Sequence, residues 1–146
     1  MYHASNMNKH NDLVFALLAA ASGIERRFNG VLSNVKGVSF TEYCLLKQLH
    51  QCHKGSATRV DLAAAVHLSP SAVTRALKPL EKIGYVVTHK GERDARQSIA
   101  SLTPAGDALL EDANQLVNDE IDALNISERS QRDLLSLLNN LSPAKH

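Results

Sequence analysis

The sixteen residues from Ser69 to Gly84, SPSAVTRALKPLEKIG, constrain this chain most. Ser69 is a good helix N-cap, and Pro70 suits the first helical position, where its missing N–H costs nothing. Val73, Leu77, Leu80 and Ile83 recur at helical spacing and predict one buried stripe. The other face carries Ser71, Thr74, Arg75, Lys78 and Lys82, short hydroxyls and cations. Gly84 ends the helix as a glycine past the last turn does. Upstream, Thr58 with Asp61 three residues later has the spacing of a capping box ahead of Leu62, Ala63 and Val66. The small run Ala63-Ala64-Ala65 permits close approach of a neighbouring helix, and His67-Leu68 makes a short connection. Two helices joined this tightly, the second apolar behind and cationic in front, form a helix-turn-helix. Pro79 falls inside the second helix, removes one hydrogen bond and crowds the Arg75 carbonyl, which predicts a kink or loosening after Lys78.

Tyr85–Thr88 and Ser98–Leu102 are short β-prone runs. Between them His89–Gln97 predicts a charged tip, so a two-stranded wing follows the helix-turn-helix. Thr103-Pro104 then caps and opens the next helix. The run LAAAVHLSPSAVTRALKPLEKIGYV, the Asp94-x-Arg96 tip and Leu102-Thr103-x-x-Gly106 closely resemble the MarR family of bacterial and archaeal transcriptional regulators. The order of predicted helices matches as well, so the resemblance covers nearly the whole chain. Thr88 departs from it, standing where many members have an arginine at the end of the first wing strand.

The net charge is only +1, but its distribution is uneven. Lys54 to Arg96 holds eight Lys/Arg against four Asp/Glu, whereas Gln97 to the end holds three against eight. The positive charge therefore sits on the reading unit, as a DNA-facing patch requires.

Around that unit the chain is helical. Leu13, Leu17, Ala20, Ile24, Phe28, Val31 and Val35 predict a first amphipathic helix over about Asn11 to Val35. Val14, Phe15 and Leu18 widen its apolar face beyond what one surface helix needs, and Gly37 breaks it. A second helix starts at Phe40-Thr41, with Tyr43, Leu46 and Leu49 inward and Cys44 beside them, and Gly55 separates it from the helix-turn-helix. After the wing, Pro104 to Leu124 is a long helix with Ala105, Leu109, Ala113, Leu116, Val117, Ile121 and Leu124 inward. Asn125-Ile126 makes a joint, and Ser127 caps a last helix bearing Leu134, Leu135, Leu137, Leu138 and Leu141. So much apolar surface at both ends needs a partner.

The expected fold is mainly α with a small β-hairpin wing: one domain over 1–146, with 40–103 as the winged helix-turn-helix and 11–36 and 104–142 as dimerisation helices. The family resemblance implies that the first and last two helices intertwine across a two-fold axis. The expected function is a sequence-specific, double-stranded-DNA-binding regulator, a homodimeric repressor relieved by a small-molecule effector. Its two reading helices would lie about 34 Å apart and read a pseudo-palindrome. Arg75 suits a bidentate contact to guanine, Ser71 and Thr74 suit bases or phosphate, and Lys78 suits phosphate. The resemblance implies that Arg96 enters the minor groove, oriented by an ion pair to Asp94. Lys90 and Arg93 are further phosphate residues, and Ser69 completes the expected DNA-binding set.

Other classes find less support. No phosphate loop, GxSxG, HExxH or CxxC occurs, so an enzyme is not expected. Cys44 and Cys52 give no disulfide framework, and Cys44 reads as a small buried hydrophobe. His50-x-Cys52-His53 is too closely spaced on a helix to converge on a metal, so no metal and no cofactor is expected. The polar N-terminus lacks a signal-peptide core and no run spans a membrane, so a cytoplasmic protein is expected. The alternatives are a winged-helix interaction module without DNA binding and a redox- or metal-responsive sensor of the same fold. Retention of Arg75, Lys78 and Asp94-x-Arg96 argues against the first.

Overall fold

The computed structural model of the chain describes residues 2–141, and their side chains from residue 11 onward. In chain order it contains α1 (Tyr2–Lys36), α2 (Phe40–Gln51), a 3-10 turn (His53–Gly55), β1 (Ser56–Thr58), α3 (Arg59–Val66), α4 (Pro70–Ile83), β2 (Val86–Lys90), β3 (Ser98–Leu102), α5 (Pro104–Ala123) and α6 (Glu128–Leu141). Residue 142, the expected end of the last helix, lies outside the described residues. The mainly helical winged helix-turn-helix is therefore present, with an antiparallel sheet in the order β1-β3-β2.

Cap chemistry sets most boundaries. Ser39 and Glu42 form a complete capping box at α2: Ser39 Oγ accepts from the Glu42 N–H at 3.0 Å and Glu42 Oε1 accepts from the Ser39 N–H at 3.2 Å. Thr58 Oγ1 accepts from the Asp61 N–H at α3, Ser69 Oγ from the Ala72 N–H at α4, and Ser127 Oγ from the Ser130 N–H at α6. Between α3 and α4, His67 takes a left-handed conformation (φ 57°), which turns the chain within two residues. Gly84 does the same after α4 (φ 95°), and its N–H is shared by the Leu80 and Glu81 carbonyls.

The core lies where the reading unit meets the long helices. Leu45, Leu46 and Leu49 of α2, Leu62 of α3, Val73, Leu77 and Leu80 of α4, Val86, Ala100, and Leu110 and Ala113 of α5 are all buried in it. Leu32 joins them from α1. Phe28, Phe40 and Tyr43 stack in sequence, with centroid separations of 5.9 and 6.2 Å, and the Tyr43 hydroxyl donates to Asn114 Oδ1 at 2.7 Å.

Several expectations need correction. Helix α1 begins at Tyr2 rather than near Asn11, because a helix that continues past its apolar stripe leaves no periodicity to detect. The sheet has three strands rather than two, since Ser56–Thr58 pairs with Ile99–Ser101 of β3. Strand β2 runs from Val86 to Lys90, so His89 and Lys90 belong to the ladder, opposite Ile99 and Ser98, and the tip is shorter than expected. Helix α4 continues through Pro79 to Ile83, held by buried Leu80 and the doubly accepted cap at Gly84. Ile83 is exposed: at about 100° per residue it lies roughly 80° around the helix from Val73, off the stripe that Val73, Leu77 and Leu80 define. In α5, Gly106 and Leu110 are buried and Ala105 is not, because the start of that helix lies against Tyr85. Among the described side chains of α1 only Phe28 and Leu32 are buried, and Leu13, Leu17, Ile24 and Val35 remain exposed. No helix among the described residues is long and apolar enough to cross a membrane.

Candidate nucleic-acid interface

Helix α4 is two-faced by construction. Ser71, Arg75, Lys78 and Lys82 are spaced four, three and four residues apart and form one exposed stripe. Val73, Leu77 and Leu80 lie on the opposite side and are completely buried. The core thus fixes which side of the helix faces outward, and the cations follow. Ser69 is spent on the cap: its oxygen accepts from the Ala72 N–H at 3.2 Å and lies 3.2 Å from the Ser71 hydroxyl. Thr74 flanks the exposed stripe and is half-buried. Its hydroxyl donates to the Pro70 carbonyl at 3.0 Å and accepts from Arg59 Nη1 at 2.7 Å.

The wing is shaped by a tight backbone approach. The Gly91 N–H donates to the Gln97 carbonyl, and the Gln97 N–H donates to the Asp94 carbonyl, each at 3.0 Å. A Cβ on Gly91 would lie 2.8 Å from the Asp94 carbonyl oxygen, so a side chain there would push the tip apart. Asp94 Oδ1 accepts from the Arg96 N–H at 3.0 Å and pairs with Arg96 Nε at 3.5 Å. The carboxylate therefore holds both ends of Arg96, while the side chain stays 95% exposed. Lys90 and Arg93 are exposed beside it. A cleft lined by Thr58, Arg59, Asp61, Arg96, Gln97 and Ser98 separates the wing from the first turn of α3.

Of the expected residues, Ser71, Arg75 and Lys78 share the outer side of α4, whereas Lys90, Arg93, Asp94 and Arg96 gather on the wing. Ser69 serves the cap, and Thr74 is bound within the protein. Sequence reasoning missed Arg59 and Glu81. Arg59 Nη2 pairs with Glu81 Oε1 at 3.5 Å, tying α3 to the far end of α4. The seven-residue spacing of Thr74 and Glu81 was visible, but their partner on α3 was not.

Among the described residues, the cysteines and histidines do not form a competing centre. Burial first, and then the nearby Glu25 carboxylate, push the Cys44 thiol pKa up against the opposing effect of Lys47. The Tyr43 hydroxyl is also pushed up, by burial and then by Cys44. His50 Nδ1 lies 2.9 Å from Asp107 Oδ1, joining α2 to α5. Among the described residues, His, Cys, Asp and Glu side chains nowhere gather in threes at metal-ligand spacing.

A positioned helix with a cationic outer stripe, followed by a wing with a projecting arginine, defines a winged helix-turn-helix protein. Residues 38–98 match the MarR family. Over 138 residues the chain is 27% identical to the HTH-type transcriptional regulator SarZ of Staphylococcus aureus, covering 94% of this chain and 91% of that one. Its fold is similar to that of the transcriptional regulator BldR from Sulfolobus solfataricus, with TM-score 0.83 and 25% identity over 92% of this chain and 95% of that one. It is likewise similar to a mutant MarR from E. coli complexed with operator DNA, with TM-score 0.80 and 23% identity over 93% and 97%. The segment that carries the helix-turn-helix and the wing, residues 38–98, is thus similar to the MarR family of transcriptional regulators. That family consists of regulators rather than enzymes.

Proposed function

We propose that the chain is a cytoplasmic, homodimeric repressor that reads a pseudo-palindromic DNA duplex and releases it when a small molecule binds. The observation that carries this reading is the exposed stripe Ser71, Arg75, Lys78 and Lys82, placed opposite a fully buried stripe and followed by a wing that carries the Asp94-anchored Arg96. Arg75 reads a guanine edge, Lys78, Lys90 and Arg93 hold phosphates, and Arg96 enters a narrow, A/T-rich minor groove, where negative potential is enhanced. Residues 40–103 form the reading unit, and 11–36 with 104–142 pair two copies. The exposed leucines of α6, which buries no residue within its own chain, support that pairing. The small-molecule site is the cleft lined by Glu25, Phe40, Thr41, Cys44, Val66 and Leu68, where α1 meets the reading unit. A ligand there acts only through different affinities for the DNA-competent and incompetent states.

The experiment is binding of the purified protein to the intergenic fragment beside its own gene, titrated against salt and against an unrelated fragment. The expected result is preferential binding, a two-fold-symmetric footprint and an affinity that falls log-linearly with salt. Equal, weak binding to both fragments would remove the claim of a local operator.

A further inference from the structure

We infer that Arg59 is a positioning residue that splints the reading helix across Pro79 and fixes Thr74 as a base reader that can only accept a hydrogen bond or present its methyl group. This rests on the DNA-reading function proposed above.

The first part follows from where the guanidinium reaches. Arg59 Nη1 donates to Thr74 Oγ1 at 2.7 Å and Nη2 pairs with Glu81 Oε1 at 3.5 Å. Thr74 and Glu81 stand seven residues apart on one side of α4, with Pro79 between them. Pro79 has no N–H, so the Arg75 carbonyl lacks its helical donor. One planar fork from α3 therefore holds α4 on both sides of its weakest turn. Only 23% of the Arg59 side chain is exposed, and its Nε is buried with no partner among the described residues. The group is thus committed to the protein.

The second part is a count of the hydroxyl's capacity. A threonine hydroxyl has one proton and two lone pairs. The Thr74 proton goes to the Pro70 carbonyl at 3.0 Å, and one lone pair takes the Arg59 N–H. One lone pair and the γ-methyl remain. Phosphate oxygens only accept, so Thr74 has nothing to give them. It can accept from adenine N6 or cytosine N4, or pack its methyl on the thymine methyl.

The test is selection from a random-sequence duplex pool by the full chain and by Arg59→Met, with thermal unfolding and the salt slope measured on both. Wild type is expected to enrich a pseudo-palindrome. Arg59→Met is expected to remain folded, keep the salt slope and lose preference by on the order of fivefold at one symmetric pair of positions, the pair that Thr74→Ala also alters. Arg59→Lys keeps the charge opposite Glu81 without the fork. It replaces Arg59→Met if that variant does not fold, with the same local loss expected. An unchanged preference at every position overturns the inference, as does a loss equal on all sequences with a shallower salt slope, which would make Arg59 a phosphate contact. If wild type itself enriches nothing, the DNA-reading function falls and this inference with it. That result is distinct from a wild type that selects and a variant that selects identically.

Discussion

Gly106→Ala probes the junction on which the orientation of the wing depends. The Thr103 hydroxyl donates to the Gly84 carbonyl at 2.6 Å, the Thr103 N–H donates to the Tyr85 carbonyl at 3.1 Å, and the Gly106 N–H donates back to Thr103 Oγ1 at 3.1 Å. A Cβ on Gly106 would collide with the Tyr85 carbonyl oxygen and approach Leu102 Cδ1 to 2.9 Å and the Tyr85 carbonyl carbon to 3.0 Å. Two of those three atoms are backbone, so no rotamer change relieves the clash. The first turn of α5 must retreat by on the order of 1 Å, and overpacking of this kind costs about 1–3 kcal/mol. The same retreat stretches the two Thr103 bonds, worth roughly 1 kcal/mol each. The helix-propensity gain of alanine over glycine returns about 1 kcal/mol. A net loss of about 2–3 kcal/mol lowers Tm by roughly 5–10 °C for a chain of this size. The assay is thermal unfolding by circular dichroism at fixed protein concentration, because oligomerisation makes Tm concentration-dependent. Thr103→Val strikes the same junction, so the double variant should lose less than the sum of the two singles. A Tm unchanged or raised by Gly106→Ala, or strict additivity with Thr103→Val, would refute the close-approach argument.

Four further outcomes are expected. Arg96→Ala should weaken DNA binding with little change in Tm, since the side chain is almost wholly exposed; affinity unchanged across salt concentrations removes the minor-groove contact. Arg75→Ala should relax preference by about 1–3 kcal/mol at one symmetric base position, and an unaltered selection profile would place it off the bases. Glutamate at both Leu138 and Leu141 should give monomer or insoluble protein in sedimentation analysis, whereas a soluble dimer would sink the C-terminal pairing. Cys44 and Tyr43 have raised folded-state pKa values, so the stability they contribute is complete below their ordinary pKa values and fades as pH climbs through the folded ones. Urea midpoints should therefore fall at alkaline pH, above the ordinary values of 9.0 and 10.0, and Cys44 should label with a thiol reagent at pH 8 more slowly than a free thiol.

The boundaries that the sequence announced were those set by local chemistry. Ser69-Pro70, Gly84 and Thr103-Pro104 act through groups within one helical turn, and all three mark helix ends in the structure. Ser39-x-x-Glu42 carries the same kind of signal, although the apolar run after it is the more conspicuous feature. Strand β1 could not be read this way: three residues show no alternation, and their pairing with β3 lies more than forty positions downstream. Ile83 falls outside the buried stripe because steps of three and four residues drift around the helix. The expected DNA-binding side of α4 was legible since the buried and exposed stripes are complementary in one segment. The Arg59 contacts with Thr74 and Glu81 were not, because they cross between helices.

The Gly84–Gly106 junction also sets a gear ratio. Helix α5 spans twenty residues, and at 1.5 Å per residue it is about 30 Å long. Its first turn is bonded directly to the residues that end α4, with no slack segment between stalk and reading helix. A tilt of α5 by about 5° around its distal end therefore carries the junction through roughly 3 Å. That is close to the ~3.4 Å between successive bases along a strand. Small angular changes where two copies would meet are thus converted, at the groove, into a displacement of about one base step.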